Sequence, residues 1–301
     1  MRKTYSAMAA AFFGNFIFGF SFLFTKKALT FTTPSVLLAQ RFLLAFLVMN
    51  VLLLTGKVRV SFKGKPLGWL LLMGLFQPVL YFFCENYGLL YSNSVFSSVM
   101  IALVPIASLV FGAVCMRERP TWLQTVCSAI SVGGVVWLAL RQSAKGAITI
   151  WGVLLLVGAV ICAVGFNVIS RKSAKTVTAF ERTYMMFAVG AAAFGAVALC
   201  ENAAHLVALV APLAYSEFLV SLLYLGVLSS VGAFLMINHA NTWLPLSRAT
   251  VFSNVITVVS VFAGVVWLGD PFDAFMLIAT CMIVLGIVGV QYFAPKNTLK
   301  N

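Results

Sequence analysis

Stretches of about 20 residues with almost no charge recur along this chain, and that recurrence limits its fold more than any other feature. A bilayer core about 30 Å thick is crossed by about 20 residues at 1.5 Å of helical rise each. Inside hydrocarbon every backbone N–H and C=O must find its partner within the chain, which makes the helix the natural element for such a run. Ten runs fit, near 5–25, 35–55, 67–90, 94–116, 122–140, 150–171, 180–200, 217–239, 246–268 and 273–293. No soluble domain of 301 residues is 62% hydrophobic and only 9% charged. The expected fold class is an all-α integral membrane protein with ten transmembrane helices. Connections are short, so no separate soluble domain is expected. The first run follows Arg2 and Lys3 as a signal peptide would, but its length and its pairing with a later run mark it as a retained span.

A net charge of +13 raises the question of nucleic acid, and its distribution answers it. With the N-terminus inside, fifteen of the Lys and Arg residues fall on the inward side, among them Lys63, Lys65, Arg171, Lys172 and Arg182. Four fall outside, Lys26, Lys27, Arg141 and Lys145, and Arg41 lies within a span. That is the positive-inside bias, which predicts cytoplasmic termini and no nucleic-acid partner. The six cysteines show no CxxC and no Cys/His ligand spacing, so neither a metal nor another cofactor is expected. Seven acids, with no HExxH, GxSxG or Walker sequence, give no basis for an enzyme or for ATP hydrolysis.

Sliding the chain along itself by 152 positions lays residues 70–137 over 222–289 without a gap. Gly74 meets Gly226, Phe82 meets Phe234, Asn86 meets Asn238, Ser108 meets Ser260, and Gly134 meets Gly286. Glu118 meets Asp270. An offset of 146 lays FGFSFLFTKKA at 18–28 over VGFNVISRKSA at 164–174. Two units of five spans are expected, 1–146 and 147–301. Since five is odd, the second enters the membrane the other way up, as a 5+5 inverted-topology repeat around a central cavity. Such repeats serve carriers, with substrate held near the midplane where the halves meet.

The pieces FGFSFLFTKKA, LLAQRFLLAFL at 37–47 and ENYGLLYSNSVFSSVMIALVP at 85–105, with RERP at 117–120 and LGDPFD at 268–273, resemble the drug/metabolite transporter superfamily, in particular its EamA-like ten-helix exporters. The resemblance implies a ten-helix basket in which the first four spans of each half line the cavity and spans five and ten are peripheral. It implies export of amino acids or other small metabolites, across a bacterial inner (plasma) membrane.

Glu85 lies in an apolar run without another formal charge between Lys65 and Arg117. On a helix over 67–90, Gln77, Tyr81 and Glu85 recur at i, i+4 and i+8 on one face. An unpaired acid facing lipid costs roughly 2.5 to 3.5 kcal/mol or more, so this face must meet a cavity or a partner. Arg41 falls at a similar depth and is the expected partner, either as a fixed ion pair or as a group that yields Glu85 to a substrate ammonium. Tyr184 stands about where the repeat places the mate of Arg41, so the pair is not expected to be mirrored. Asn15, Phe22, Ser229 and Asn254 complete the candidate cavity lining. The expected function is secondary active transport of small organic metabolites, amino acids or related compounds first, by alternating access. Export of cationic drugs in exchange for protons, or a passive channel, are the alternatives. The expected partners are a small-molecule substrate, the lipid bilayer and protons as a coupling ion, with the chain a monomer or dimer.

Overall fold

The computed structural model describes residues 2–56, 58, 60–115, 121–144, 148–244, 250–269 and 273–293. Glu118, Asp270, and the flanking Arg117 and Arg119 lie outside them, as do Lys57, Arg59, Lys145, Arg248, Lys296 and Lys300. Among the described residues every regular element is a helix. In chain order they are α1 (Arg2–Ala28), α2 (Pro34–Leu54), α3 (Leu67–Leu90), α4 in two pieces (Ser94–Ile101 and Val104–Cys115), α5 (Trp122–Ala144), α6 (Ile150–Ser173), α7 (Ala179–Glu201), α8 (Ser216–Trp243), α9 (Asn254–Leu268) and α10 (Ala274–Tyr292). Six of these, α1, α2, α3, α6, α7 and α8, are long and apolar enough to cross a membrane, and the rest carry shorter apolar stretches.

Local sequence sets the helix ends. Pro34 opens α2 at a position where its missing N–H costs nothing. The Asn93 side chain accepts from the Phe96 N–H to start α4, and Thr149 accepts from Gly152 to start α6. Thr178 and Glu181 form a reciprocal capping box at the head of α7. Gly269, at φ 64°, supplies the left-handed residue that ends α9. The ninth run starts its α-helix at Asn254, after a single 3₁₀ turn over Thr250–Ser253, rather than near 246.

Two interruptions fall where the 152-residue offset aligns them. In α3 the segment Leu75–Leu80 winds as a π-helix, and in α8 so does Tyr224–Ala233. Pro78 supplies no N–H, and Gln77 just before it leaves helical geometry altogether, at φ −147° and ψ 114°. α4 breaks at residues 102–103, immediately before the turn that contains Pro105.

Packing follows small residues. α2 lies along α7 and α5 along α10, while α1 packs on α8 and α9, and α6 packs on α3 and α4. Replacing each helix by the one five places away maps these contacts onto themselves. The close approaches obey the same rule. A Cβ on Gly74 of α3 would lie 2.9 Å from Val189 of α7, and one on Gly226 of α8 would lie 2.7 Å from Leu44 of α2. On the α5–α10 seam, Gly134 faces Ala279 and Ile283, and Gly286 faces Cys127 and Ser131.

The outside is apolar and the inside holds the polar groups, the reverse of a soluble bundle. Leu54, Trp122, Ile150, Trp151 and Leu285 are each more than 60% exposed. Arg41, Asn86, Arg182 and Asn238 are buried. A bilayer solvates the first set, and only intramolecular hydrogen bonds can solvate the second.

Candidate functional site

Below its π-turn α3 resumes as a helix over Tyr81–Leu90, which places Tyr81 and Glu85 one turn apart on one face. The Tyr81 hydroxyl donates to Glu85 Oε1 at 2.8 Å. Glu85 Oε2 accepts from none of the described residues, and the side chain keeps a small accessible surface, 9% for Glu85 against 0% for Asn86 beside it. Gln77 does not extend this face as an unbroken helical stripe. Its non-helical backbone and the wider π-turn shift the angular register above Tyr81. Gln77 is 8% exposed, and its amide has no hydrogen-bond partner among the described residues.

Arg41 is not the ion-pair partner of Glu85. Among the described residues the salt bridge within 4 Å is Lys65–Glu181. Arg41 turns to the other half instead: Nε donates to Ser230 Oγ at 3.0 Å and Nη2 to Ser229 Oγ at 3.1 Å, both on α8. Ser229 in turn shares a 2.7 Å hydrogen bond with Ser21 of α1. The guanidinium carbon lies 4.3 Å from the centroid of the Phe82 ring and 5.5 Å from that of Phe42. Equal depth in the bilayer leaves the azimuth free, and the azimuth of Arg41 is set by the two serines of the α8 π-segment. The charges of Arg41 and Glu85 still act on one another through this low-dielectric interior. One small region therefore holds Tyr81 and Glu85 from α3, Arg41 from α2, Ser229 and Ser230 from α8 and Ser21 from α1.

Among the described residues, none of the other candidate side chains makes a hydrogen bond to that set. Asn15 donates to the Ala11 carbonyl of its own helix at 2.6 Å. Phe22 is 4% exposed and belongs to the main apolar core, together with Phe42, Tyr81, Phe82 and Phe234. The side chain of Asn254 lies outside the described residues. Thr257 leaves its hydroxyl buried without a hydrogen-bond partner among the described residues.

A second buried arginine escaped the sequence reading, which counted Arg182 among the inward loop charges. It sits one turn inside α7 with 0% exposure. Nη1 donates to the Ser170 carbonyl and hydroxyl at 2.7 and 2.8 Å, and Nη2 to the Asn238 carbonyl and the Thr242 hydroxyl at 2.8 and 2.6 Å. Ser170 lies in the last turn of α6, and Asn238 and Thr242 lie near the end of α8, so the cation stands against the negative ends of two helices. Asn238 ties the set together, accepting from Ser170 and donating to Thr183. Beside it, Glu181 accepts from the Ser61 N–H and from Lys65, pinning the α2–α3 connection to the head of α7. The pattern Thr178-Ala-Phe-Glu181 was the available signal, because a capping box there starts the helix before Arg182.

The model of the EamA-like transporter family matches twice, over residues 5–140 and 150–292. The uncharacterized transporter YcxC of Bacillus subtilis is 32% identical over 295 residues, 97% of this chain and 95% of its own length. A protein of Streptantibioticus cattleyicolor, named as a probable terminal-alkyne amino-acid exporter, is 26% identical over 76% of this chain and 73% of its own length. A crystal structure at 19% identity superposes with a TM-score of 0.67, covering 95% of this chain and 97% of that one, and so shares the fold. The chain is a membrane transporter protein of the EamA-like transporter family.

Proposed function

We propose that the chain is a secondary active exporter of amino acids or closely related metabolites, in which Glu85 receives the substrate ammonium. The observation that carries this is a buried carboxylate that, among the described residues, is held by a single tyrosine with its second oxygen free, beside the α8 π-segment where the two halves meet. Exporter function is also the printed name of the Streptantibioticus relative. The fold we assign is ten spans in a 5+5 inverted repeat, units 1–146 and 147–301, with both termini cytoplasmic in the plasma membrane. The two family-model matches, the aligned π-segments and the reciprocal glycine contacts support it. Two related halves around one site are the architecture of alternating access. The chemistry required is binding and release, and no catalytic step is assigned.

The test is a thermal-shift screen of the detergent-purified protein against amino acids, polyamines, nucleotide sugars and cationic drugs, run beside Glu85→Gln. A ligand at 100 times its Kd adds about 2.7 kcal/mol to stability, a readily measured shift. An amino acid that stabilises the wild type and not the variant supports the assignment. Equal stabilisation of both removes Glu85 from the site. Counterflow in proteoliposomes then separates a carrier, which exchanges labelled for unlabelled solute, from a passive channel, which does not.

A further inference from the structure

The geometry points to Arg41 as the reader of the substrate carboxylate, so that Glu85 and Arg41 together select a zwitterion, an α-amino acid head group with both charges intact. This rests on the assignment of Glu85 as the ammonium site. A guanidinium offers two forks, one along Nε and Nη2 and one along Nη1 and Nη2. Ser230 and Ser229 occupy the first, side-on fork. The second, end-on fork is open: Nη1 donates to no described residue, and Nη2 has a proton to spare. Two parallel N–H groups at this spacing match a carboxylate bidentately.

The charges around Arg41 make the same point. No carboxylate lies within 4 Å of it among the described residues, its two bonded partners are neutral hydroxyls, and the ring of Phe82 lies 4.3 Å from its guanidinium carbon. Arg182 is the internal contrast. Its two terminal nitrogens are filled by backbone carbonyls and hydroxyls at the ends of α6 and α8, and it needs no anion. Arg41 stands near no such helix end. Its nearest acid is Glu85, too far for a direct pair and near enough for the charges to interact. Glu85 has an unused oxygen and Arg41 an unused fork. In an α-amino acid the ammonium and the carboxylate are attached to the same carbon, so one head group inserted between the two residues answers both at once. A simple amine satisfies Glu85 and leaves Arg41 unpaired, and a simple acid does the reverse.

The experiment compares matched sets that differ only in these groups. Leucine is measured against 3-methylbutylamine and 4-methylpentanoate, phenylalanine against 2-phenylethylamine and 3-phenylpropionate, and alanine against ethylamine and propionate. Apparent Kd values are taken by thermal shift on the detergent-purified full chain, as wild type, Arg41→Lys and Glu85→Gln. In the wild type at least one amino acid binds about tenfold or more tighter than both its amine and its acid, tenfold being about 1.4 kcal/mol. Arg41→Lys brings that amino acid to within about threefold of its amine and leaves the amine where it was, since a point charge cannot fill the fork. An amine that equals its amino acid in the wild type overturns the proposal, and so does an Arg41→Lys protein that keeps the tenfold gap. The wild-type comparison stands even if the Arg41 variant fails to fold. Failure of the underlying reading looks different: amine binding that survives in Glu85→Gln, or no binding of any amine or amino acid in the sets.

Discussion

The third helix of each half, α3 and α8, shares a frame and differs in chemistry. Both wind through a π-segment, and the 152-residue offset pairs Gly74 with Gly226, Phe82 with Phe234 and Asn86 with Asn238. Each glycine lets its helix settle on the second helix of the opposite half. Yet Gln77, Tyr81 and Glu85 of α3 stand opposite Ser229, Ala233 and Ile237 of α8. α3 brings the acid, and α8 brings neutral acceptors for both buried arginines. The glycines that set backbone approach match between the halves, and the polar positions Gln77, Tyr81 and Glu85 of α3 have no polar counterpart of the same kind on α8. The arginines divide in the same way. Arg182 has both terminal nitrogens taken by carbonyls and hydroxyls at helix ends, with its Nε buried and unbonded among the described residues, which makes it a clasp, whereas Arg41 leaves a terminal nitrogen, Nη1, in reserve.

That division predicts which residue carries stability. Arg182→Ala leaves the Ser170 carbonyl, the Asn238 network and Thr242 short of a donor at a buried junction of three helices. A loss of about 2 to 4 kcal/mol is expected, from roughly 1 to 3 for each group left unsatisfied, reduced by the weaker bonds typical of membrane interiors. The detergent melt of Arg182→Ala is expected to fall well below that of Arg41→Gln. Equal falls would erase the contrast between clasp and reserve.

The α5–α10 seam gives a smaller effect with an internal control. A Cβ on Gly286 would lie 2.6 Å from the Cys127 carbonyl and 2.9 Å from the Ser131 nitrogen, both backbone atoms, so the helices must part. On Gly134 the contacts are longer, a side-chain carbon of Ile283 at 3.0 Å and the Ala279 carbonyl at 3.1 Å, so a smaller shift relieves them. Gly286→Ala is expected to cost about 1 to 3 kcal/mol and Gly134→Ala less. Gly133, next in sequence, meets nothing within 4 Å, so Gly133→Ala is expected to leave the melt unchanged or slightly raised. Melts of the three variants in one detergent rank them, and any order other than Gly286 first breaks the reciprocal reading of the seam.

Much of the fold was legible because the bilayer demands long apolar helices and leaves them few alternatives. The run at 67–90 became α3 with the same bounds. The Tyr81–Glu85 contact was legible too, since i and i+4 on a helix fix both depth and azimuth. Arg41 with Glu85 was not, because depth alone was being compared across two helices whose rotation the sequence does not state. Gln77 slipped from the stripe because Pro78 removes the N–H that would have kept the α register, and a π-turn is not visible in hydrophobic spacing. Arg182 was hidden by its neighbours: with Arg171, Lys172 and Lys175 close by, a positive-inside tally absorbs it as one more loop charge.

Glu85→Gln is where the comparison between scaffold and site is sharpest, because its stability cost is expected to be the smallest of all. Among the described residues the carboxylate has one hydrogen-bond partner, the Tyr81 hydroxyl, which donates to it, and a glutamine carbonyl can accept that bond as well. Removing a formal charge from the apolar interior offsets what is lost in attraction to Arg41. A melt within about 1 kcal/mol of wild type is therefore expected, close to the typical value for one hydrogen bond, together with loss of ligand-induced stabilisation and of counterflow. A large fall in the melt would instead mean that Glu85 belongs with Arg182 among the clasps. Its free oxygen argues for the other side of that line, since the terminal nitrogens of the clasp Arg182 are all engaged and this oxygen is not.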